Sequence, residues 1–435
     1  QEPRALQTLD KVIYRSDQPP SDYIELLSEL SSLFEDCSPE QYSSIISCMT
    51  SVIVNVTEIN EEIYASMRTI LVDLLSSDKS DSFTQSKVFS CFGQLSKISP
   101  LSIQQDAPEL LNQMIECIQN NREDPAFNES IAECIQNLVK VIPSFIQPHL
   151  QSIVPSFMEL LSYETEPDPE NEGENNENQA EEEGNENDDG EESDLPILMQ
   201  CSILKCLAEL VTDLPSDMAE IIPNIVEAAC HFLEHSSCDL QSSAAKSIIL
   251  MNDGLQTATY DTSHLISVII KKIFKSPNTN VICELFYALG TLIGSSTFES
   301  FSEKRLGQIM NLFESSFNGT LEAVYSGPKV LDQDVLNPLF FSLRMFILTL
   351  GNNIESNSLS DHFISFLCPH LDSKKNMVKA YVANIYATMF FVAPSLQQIG
   401  ASARDICFRT MTKSNESVNN IIISTLNYII NTDSG

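Results

Sequence analysis

Apolar residues recur along this chain at steps of three and four. Ile131, Ile135, Leu138 and Ile142 form one such set, Ile203, Leu207, Leu210 and Leu214 a second, and Leu111, Ile115 and Ile118 a third. Each set places one apolar stripe on one helix face. No convincing alternating run marks a strand, no Asn-Gly or Asp-Gly turn is flanked by alternating residues, and glycine is sparse at thirteen. The pattern predicts helices over about 4–16, 21–36, 39–55, 59–77, 83–98, 103–120, 125–142 and 144–162. It predicts more over about 196–214, 217–235, 239–255, 260–275, 277–296, 302–318, 336–353, 358–372, 375–393, 395–413 and 415–432. The links are short and rich in Ser, Asn, Asp and Pro. Short links force neighbouring helices antiparallel.

The helices alternate in kind. One kind carries a Pro in or near its first turns, as in Asp106-Ala107-Pro108-Glu109-Leu110-Leu111, Ile153-Val154-Pro155-Ser156-Phe157-Met158 and Ile222-Pro223-Asn224-Ile225-Val226. The other follows a polar turn and carries small residues, as in Ser243-Ala244-Ala245-Lys246. Pro108 and Pro155 are 47 positions apart; Pro155 and Pro223 are 68 apart, or 37 once a 31-residue acidic run is set aside. A period near 40 with two helices per unit is the signature of HEAT repeats. The expected class is therefore all-α: a HEAT-repeat α-solenoid, a superhelix of antiparallel helix pairs. Each unit of such a solenoid buries its apolar face by stacking on its neighbours.

Charge changes the picture in one place. Glu164 to Asp194 carries sixteen Asp or Glu and no Lys or Arg, out of a net charge of −37, so 21 net negative charges lie elsewhere. Such a run cannot bury enough apolar surface to offset the entropy of ordering it, and a disordered acidic loop is expected over 163–195. It falls between the two helices of one repeat, an intra-repeat turn where insertions cost little. Glu181, Glu182, Glu183, Asp188, Asp189, Glu191 and Glu192 are its densest acids. A second insertion, 320–335, occupies the equivalent turn after two intervening repeats, which leaves repeats over 1–162, 196–319 and 336–435. An acidic body argues against nucleic acid or an anionic membrane as direct partner and favours basic proteins. The hydrophobic share, 43%, suffices for a substantial core.

Chemistry is thin. The twelve Cys are scattered through apolar helical stretches and read as buried, reduced thiols. No signal peptide and no apolar run near eighteen residues is apparent. The chain opens at Gln1 in a helical pattern and is expected to be part of something longer. Cys230-His231-Phe232-Leu233-Glu234-His235-Ser236-Ser237-Cys238 sets two His at i, i+4, as zinc sites do, but reads better as a helix end with His suited to the dipole. Cys201 and Cys206 diverge on one helix and are not expected to chelate together. No phosphate loop or nucleophile elbow appears, so no catalytic residue, metal or cofactor is expected. Lys271-Lys272 and Lys374-Lys375 read as solvated faces.

The order of events resembles the importin-β (karyopherin-β) family, in particular its importin-five-like subgroup. Glu109-Leu110-Leu111-Asn112-Gln113-Met114-Ile115 leads to a polar turn ending in Asp124-Pro125, then to helices Ile131 to Ile142 and Phe145 to Leu161. The acidic loop, ending in Asn187-Asp188-Asp189-Gly190-Glu191, follows; then come Cys201 to Leu214, Glu220 to Leu233 and Asp239 to Met251. The resemblance is best between 105 and 320. It implies the middle and C-terminal repeats of a monomeric receptor that shuttles between cytoplasm and nucleus. Such a receptor binds basic cargo proteins for import, contacts Phe-Gly nucleoporins between outer helices, and releases cargo on Ran GTPase. It further implies a role for the acidic loop in holding Lys/Arg-rich cargo or biasing its exchange with Ran. With no Trp in the chain, Trp-Asn arrays cannot hold the cargo, leaving carboxylates, Asn, Tyr and Phe.

The second helix of each pair is expected to line the concave side. Polar residues off its core stripe are the candidate cargo contacts: Glu129, Glu133 and Asn137, then Glu209 and Asp213, then Asn252 and Asp253, then Glu284. Three other readings stand beside this one. They are a HEAT scaffold subunit of phosphatase or condensin type, a tubulin-binding array, and an export receptor.

Overall fold

The structure, a computed structural model, describes residues 20–34, 37–76, 80–162, 195–327, 330–356, 359–411 and 415–433. The expected helix at 4–16 and the acidic run lie outside them. Among the described residues there are eighteen helices of nine residues or more. The first eight are α1 (Pro20–Leu33), α2 (Tyr42–Val54), α3 (Glu61–Leu75), α4 (Ser82–Ile98), α5 (Pro100–Asn120), α6 (Pro125–Val141), α7 (Leu150–Leu161) and α8 (Leu195–Asp213). Then come α9 (Ile222–Leu233), α10 (Cys238–Thr257), α11 (Ser263–Lys275), α12 (Thr279–Gly294), α13 (Glu303–Asn318), α14 (Gln333–Leu350), α15 (Leu359–Leu367), α16 (Asn376–Val392), α17 (Gln397–Met411) and α18 (Glu416–Asp433).

The polar links are helix caps. Asn60, Asp81, Asp124 and Asn278 each accept the backbone N–H three residues on, at 2.8, 2.8, 3.0 and 3.1 Å. Each satisfies one of the four orphan donors at a helix start. Both helix starts move. α5 begins at Pro100 rather than about 103, which sets Pro108 deeper inside it, and α7 begins at Leu150 rather than about 144, which brings Pro155 closer to its start. Other prolines break helices: Pro148 sits in a 3₁₀ turn before α7 and Pro369 in one after α15. A proline removes an N–H donor and crowds the preceding turn.

Consecutive helices pair, first with second, in α1/α2, α3/α4, α5/α6, α7/α8, α11/α12 and α17/α18. The chain divides into two compact units, one through Ala228 and one from Ala229, with the boundary inside α9. In the first unit the second helices α2, α4, α6 and α8 stack in succession. In the second, α10, α12, α14, α16 and α18 do the same. The first helices form a parallel layer, with contacts α1 to α3 and α5 to α7, then α11 to α13 and α13 to α15. Asp106 of α5 ties in α3 by accepting from Tyr64 Oη at 2.8 Å and Arg68 Nε at 2.5 Å. Each unit is therefore an α-solenoid stack of helix pairs.

The stripes read from the sequence are its core. Ile131, Ile135, Leu138, Ile203, Leu207 and Leu210 are all fully buried. Each such side chain contributes about 1.5–3 kcal/mol on leaving water. Contrary to expectation, one helix, α8, is long and apolar enough by composition to cross a membrane. Its apolar surface is used instead by flanking helices, and it is mostly buried between α6 and α7. Gln200 of α8 donates to the carbonyl of Leu161 at 3.4 Å, joining the two helices that flank the acidic run.

The second insertion is a folded element. Gly319 ends α13 in the left-handed region, φ 89°, which glycine adopts without penalty. A short hairpin follows, β1 (Tyr325–Gly327) against β2 (Val330–Leu331). Leu321, Val324 and Leu331 are buried, and Asp332 N–H donates to the carbonyl of Val324 at 2.8 Å. The sequence shows no alternating run here because these strands are only three and two residues long.

Candidate binding surface on the second-helix layer

In the first unit the candidate residues sit on α6 and α8. Glu133 and Asp213 are exposed, and Glu129 and Asn137 are half-buried. Ser202 of α8 donates its hydroxyl to Glu129 Oε1 at 3.4 Å. Burial, with the neighbouring Glu133 charge second, pushes the Glu129 carboxyl above its ordinary range, against the opposing pull of Lys205 and Lys87. Asn137 lies over Gly93 of α4, where a Cβ would come within 3.1 Å of its Nδ2 and of Cys134 Cα.

Glu209 is not on a free face. It is 4% exposed, and Lys140 of α6 reaches its Oε1 with Nζ at 2.5 Å. Its Oε2 has no hydrogen-bond partner among the described residues. Lys140 also acts on Asp213, whose carboxyl burial pushes upward, and on Lys97 of α4, which burial and Lys140 push downward. The surface of α4, α6 and α8 is thus a lattice in which Lys87, Lys97, Lys140 and Lys205 alternate with Glu129, Glu133, Glu209 and Asp213.

In the second unit, Asn252 is buried, 4% exposed, and donates Nδ2 to Ser295 Oγ at 2.7 Å, while Asp253 beside it is exposed. Glu284 of α12 meets Lys246 of α10 at 3.5 Å. Beyond Glu284 the character changes. Asn337 of α14 donates Nδ2 to Tyr287 Oη of α12 at 2.7 Å and accepts from Tyr381 Oη of α16 at 3.2 Å. Phe341 lies 5.7 Å from the Tyr287 ring, and Arg344 lies over Phe341 at 6.0 Å. Tyr381 stacks on Phe340 at 4.9 Å with planes 9° apart. Among the sequence candidates only Glu284 borders this strip. Its signal was available in outline: Glu284 and Tyr287 share one helix face at i, i+3, as do Asn337 and Phe341 at i, i+4.

The remaining sequence features have structural occupations. His235 accepts the Ser237 N–H on Nδ1 at 3.0 Å at the end of α9, and Asn278 Nδ2 donates to Cys238 Sγ at 3.2 Å. No group of three or more His, Cys, Asp or Glu among the described residues could hold a metal ion. Cys91, Cys134 and Cys206 are buried on α4, α6 and α8, and burial pushes the Cys91 thiol up to about 12. Of the lysine pairs, Lys271, Lys374 and Lys375 are exposed, as expected, and Lys272 is not. Lys272 is 8% exposed, and Lys375 donates Nζ to the carbonyl of Leu331 at 3.2 Å, pinning the hairpin. Glu181, Glu182, Glu183, Asp188, Asp189, Glu191 and Glu192 lie outside the described residues.

No protein-family model and no curated protein matches the sequence. Solved structures match the fold. Kap95, in a complex with Nup1, superposes with a TM-score of 0.63 at 12% identity, over 98% of this chain and 50% of that one. Kap121p superposes with a TM-score of 0.53 at 12% identity, over 99% of this chain and 46% of that one. Kap121p bound to the extreme C-terminus of the protein phosphatase Cdc14p gives 0.53 at 14%, over 98% and 42%. This chain spans about half the length of the karyopherins it matches. At such identities the shared property is the fold, and these HEAT-repeat solenoids have the architecture this chain has.

Proposed function

We propose that this chain is a HEAT-repeat segment of a nuclear transport receptor of the importin-β kind, importin-five-like in the placing of its acidic run. The observation that carries the reading is the fold match along nearly the whole chain to Kap95 in complex with Nup1 and to the karyopherin Kap121p bound to the extreme C-terminus of Cdc14p. The acidic charge fits basic cargo. On this reading the second-helix layer of each unit binds cargo, with Glu133 and Asp213 as accessible carboxylates and Glu129 and Asn137 beside Glu133 in the first unit, and Asp253 and Glu284 in the second. Phe-Gly nucleoporins and Ran GTPase are the other partners, and the receptor shuttles between cytoplasm and nucleus. The run 164–194 speeds capture of Lys/Arg-rich cargo, an effect of charge on association that salt screens.

Titration of a lysine-rich cargo peptide tests this, with Ran·GTP and Phe-Gly peptides added in turn. Glu133→Lys together with Asp213→Lys should weaken the peptide several-fold at low salt and less at high salt. Removal of 164–194 should slow association more than it changes dissociation. Charge reversal at Glu209 would be a poor probe, since it would place a second cation against Lys140 in a buried site. A chain that bound neither the basic peptide nor Phe-Gly peptides would be a scaffold of another kind.

A further inference from the structure

The cations of the second unit are not spread evenly. Lys271, Lys272 and Lys275 lie in the last two turns of α11, a helix without Asp or Glu, and Lys304 and Arg305 lie in the first turn of α13. These are five of the 24 Lys and Arg in a chain of net charge −37. α11 and α13 are neighbours in the first-helix layer. The helix dipole accounts for lysines at the end of α11, where the last carbonyls gather negative charge. It does not account for Lys304 and Arg305, which face the positive end of α13; Glu303 ahead of them suits that end, and they do not. Ion pairing does not account for the cluster either. Lys275 meets Glu234 only at 3.9 Å, and Lys271, Lys272 and Lys304 make no ion pair among the described residues. Asp261 reaches Arg305 with its charge but accepts the Ser263 N–H instead, at 2.9 Å.

Phase and pairing set three of these cations on one surface. Arg305 donates from its guanidinium to Ser267 Oγ, which holds the start of α13 against the middle of α11. Ser267, Lys271 and Lys275 recur every four residues, so they climb one side of α11 in steps of about 6 Å. Arg305, arriving at Ser267, and Lys271 and Lys275 above it are therefore cations on successive turns. Lys271 and Lys275 are exposed, and Arg305 is half-buried. Phe274 lies on the same side, 39% exposed. Lys272 faces inward and is buried. An extended peptide sends every second side chain to one side, about 6.6–6.8 Å apart. That repeat matches the step between the cations. Three carboxylates at alternate positions would each meet one of them, and an apolar residue at the end of the run would cover Phe274. The patch is also small, and the chain around it is acidic. A short acidic peptide fits within it, whereas a nucleic acid strand would run on over like charge.

We propose that the α11–α13 face, with Arg305, Lys271 and Lys275 as its cations and Phe274 beside them, docks a short acidic peptide whose Asp or Glu residues occupy alternate positions. This site is opposite in sign to the capture of basic cargo and lies on the other helix layer. It does not depend on that reading.

Fluorescence anisotropy at low salt tests it with two labelled peptides of one composition, Glu-Ala-Glu-Ala-Glu-Phe and Glu-Glu-Glu-Ala-Ala-Phe. The alternating peptide should bind the more tightly. Lys271→Glu together with Lys275→Glu, both at exposed positions, should weaken it by about five- to thirty-fold and remove the difference between the peptides. Lys271→Gln with Lys275→Gln should fall between that variant and the wild type. Phe274→Ser should weaken both peptides by about two- to three-fold. No binding of the alternating peptide, equal affinity for the two peptides, or wild-type affinity in the Lys→Glu double variant would overturn the site. A single-stranded oligonucleotide that bound more tightly than the alternating peptide, and lost affinity in the same variant, would overturn the acidic peptide as occupant.

Discussion

The two units solve one problem in different ways. Each presents the outward face of a stack of second helices, and each must give the polar groups there a partner. In the first unit the partners are ions: Lys140 against Glu209, with Lys87, Lys97 and Lys205 around Glu129 and Glu133. In the second, past the one pair of Lys246 with Glu284, they are amides, phenols and rings: Asn337 between Tyr287 and Tyr381, Arg344 over Phe341. Ionic lattices are screened by salt and reward complementary charge. Phenol–amide contacts are insensitive to salt and reward geometry.

The ionic half should be the more fragile. Lys140→Met leaves Glu209 buried with its partner removed, a loss of about 2–3 kcal/mol given that the lysine itself is half in water. Urea unfolding would measure it, and adding Glu209→Gln should restore most of the loss. A loss no larger than that of Asn337→Leu, whose exposed hydrogen bonds are worth about 1 kcal/mol net, would erase the contrast between the units. The second unit's weak point is steric. A Cβ on Gly290 would stand 2.7 Å from the Phe341 ring and 3.0 Å from Ser342 Cα. Gly290→Val should therefore separate α12 from α14 and cost about 1–3 kcal/mol. It should also disturb the Tyr287–Phe341 contact, so near-ultraviolet dichroism should change with it; unchanged stability and spectrum would mean that the two helices are not held at this distance.

What was legible in the sequence follows from what each feature depends on. Helix existence and pairing depend on local periodicity and link length, and both were readable, down to Ile131, Ile135 and Leu138 as core. Helix starts depend on caps and on the first turn, where apolar residues are few. Hence α14 begins at Gln333 instead of 336, α5 at Pro100 instead of 103 and α7 at Leu150 instead of 144. The hairpin at 325–331 was invisible because its order comes from burying Leu321, Val324 and Leu331 against neighbours distant in sequence. The phase of α8 set Glu209 off the apolar stripe but could not show its burial, because that depends on Lys140 arriving from α6. The Asn337 strip needed three helices, α12, α14 and α16, each contributing one residue with no linear motif between them.

The smallest effect is also the one that most directly probes the ionic lattice. Glu129 is half-buried beside Glu133, and burial first and that charge second raise its carboxyl above the ordinary value. A carboxylate raised on folding holds its proton more tightly in the folded state. The folded chain therefore pays nothing below the unfolded value near pH 4.3, and the cost grows as pH rises through the raised folded value. Glu129→Gln removes the ionisation while keeping an acceptor for Ser202. It should raise the urea midpoint at pH 7 and leave it unchanged at about pH 3.5, below the unfolded value. The opposite sign at pH 7 would mean that Lys87 and Lys205 outweigh burial at this position, making Glu129 a stabilising member of the lattice rather than a strained one. The first unit would then hold its carboxylates as paired ions throughout, and only Glu133 and Asp213 would remain available to a basic partner.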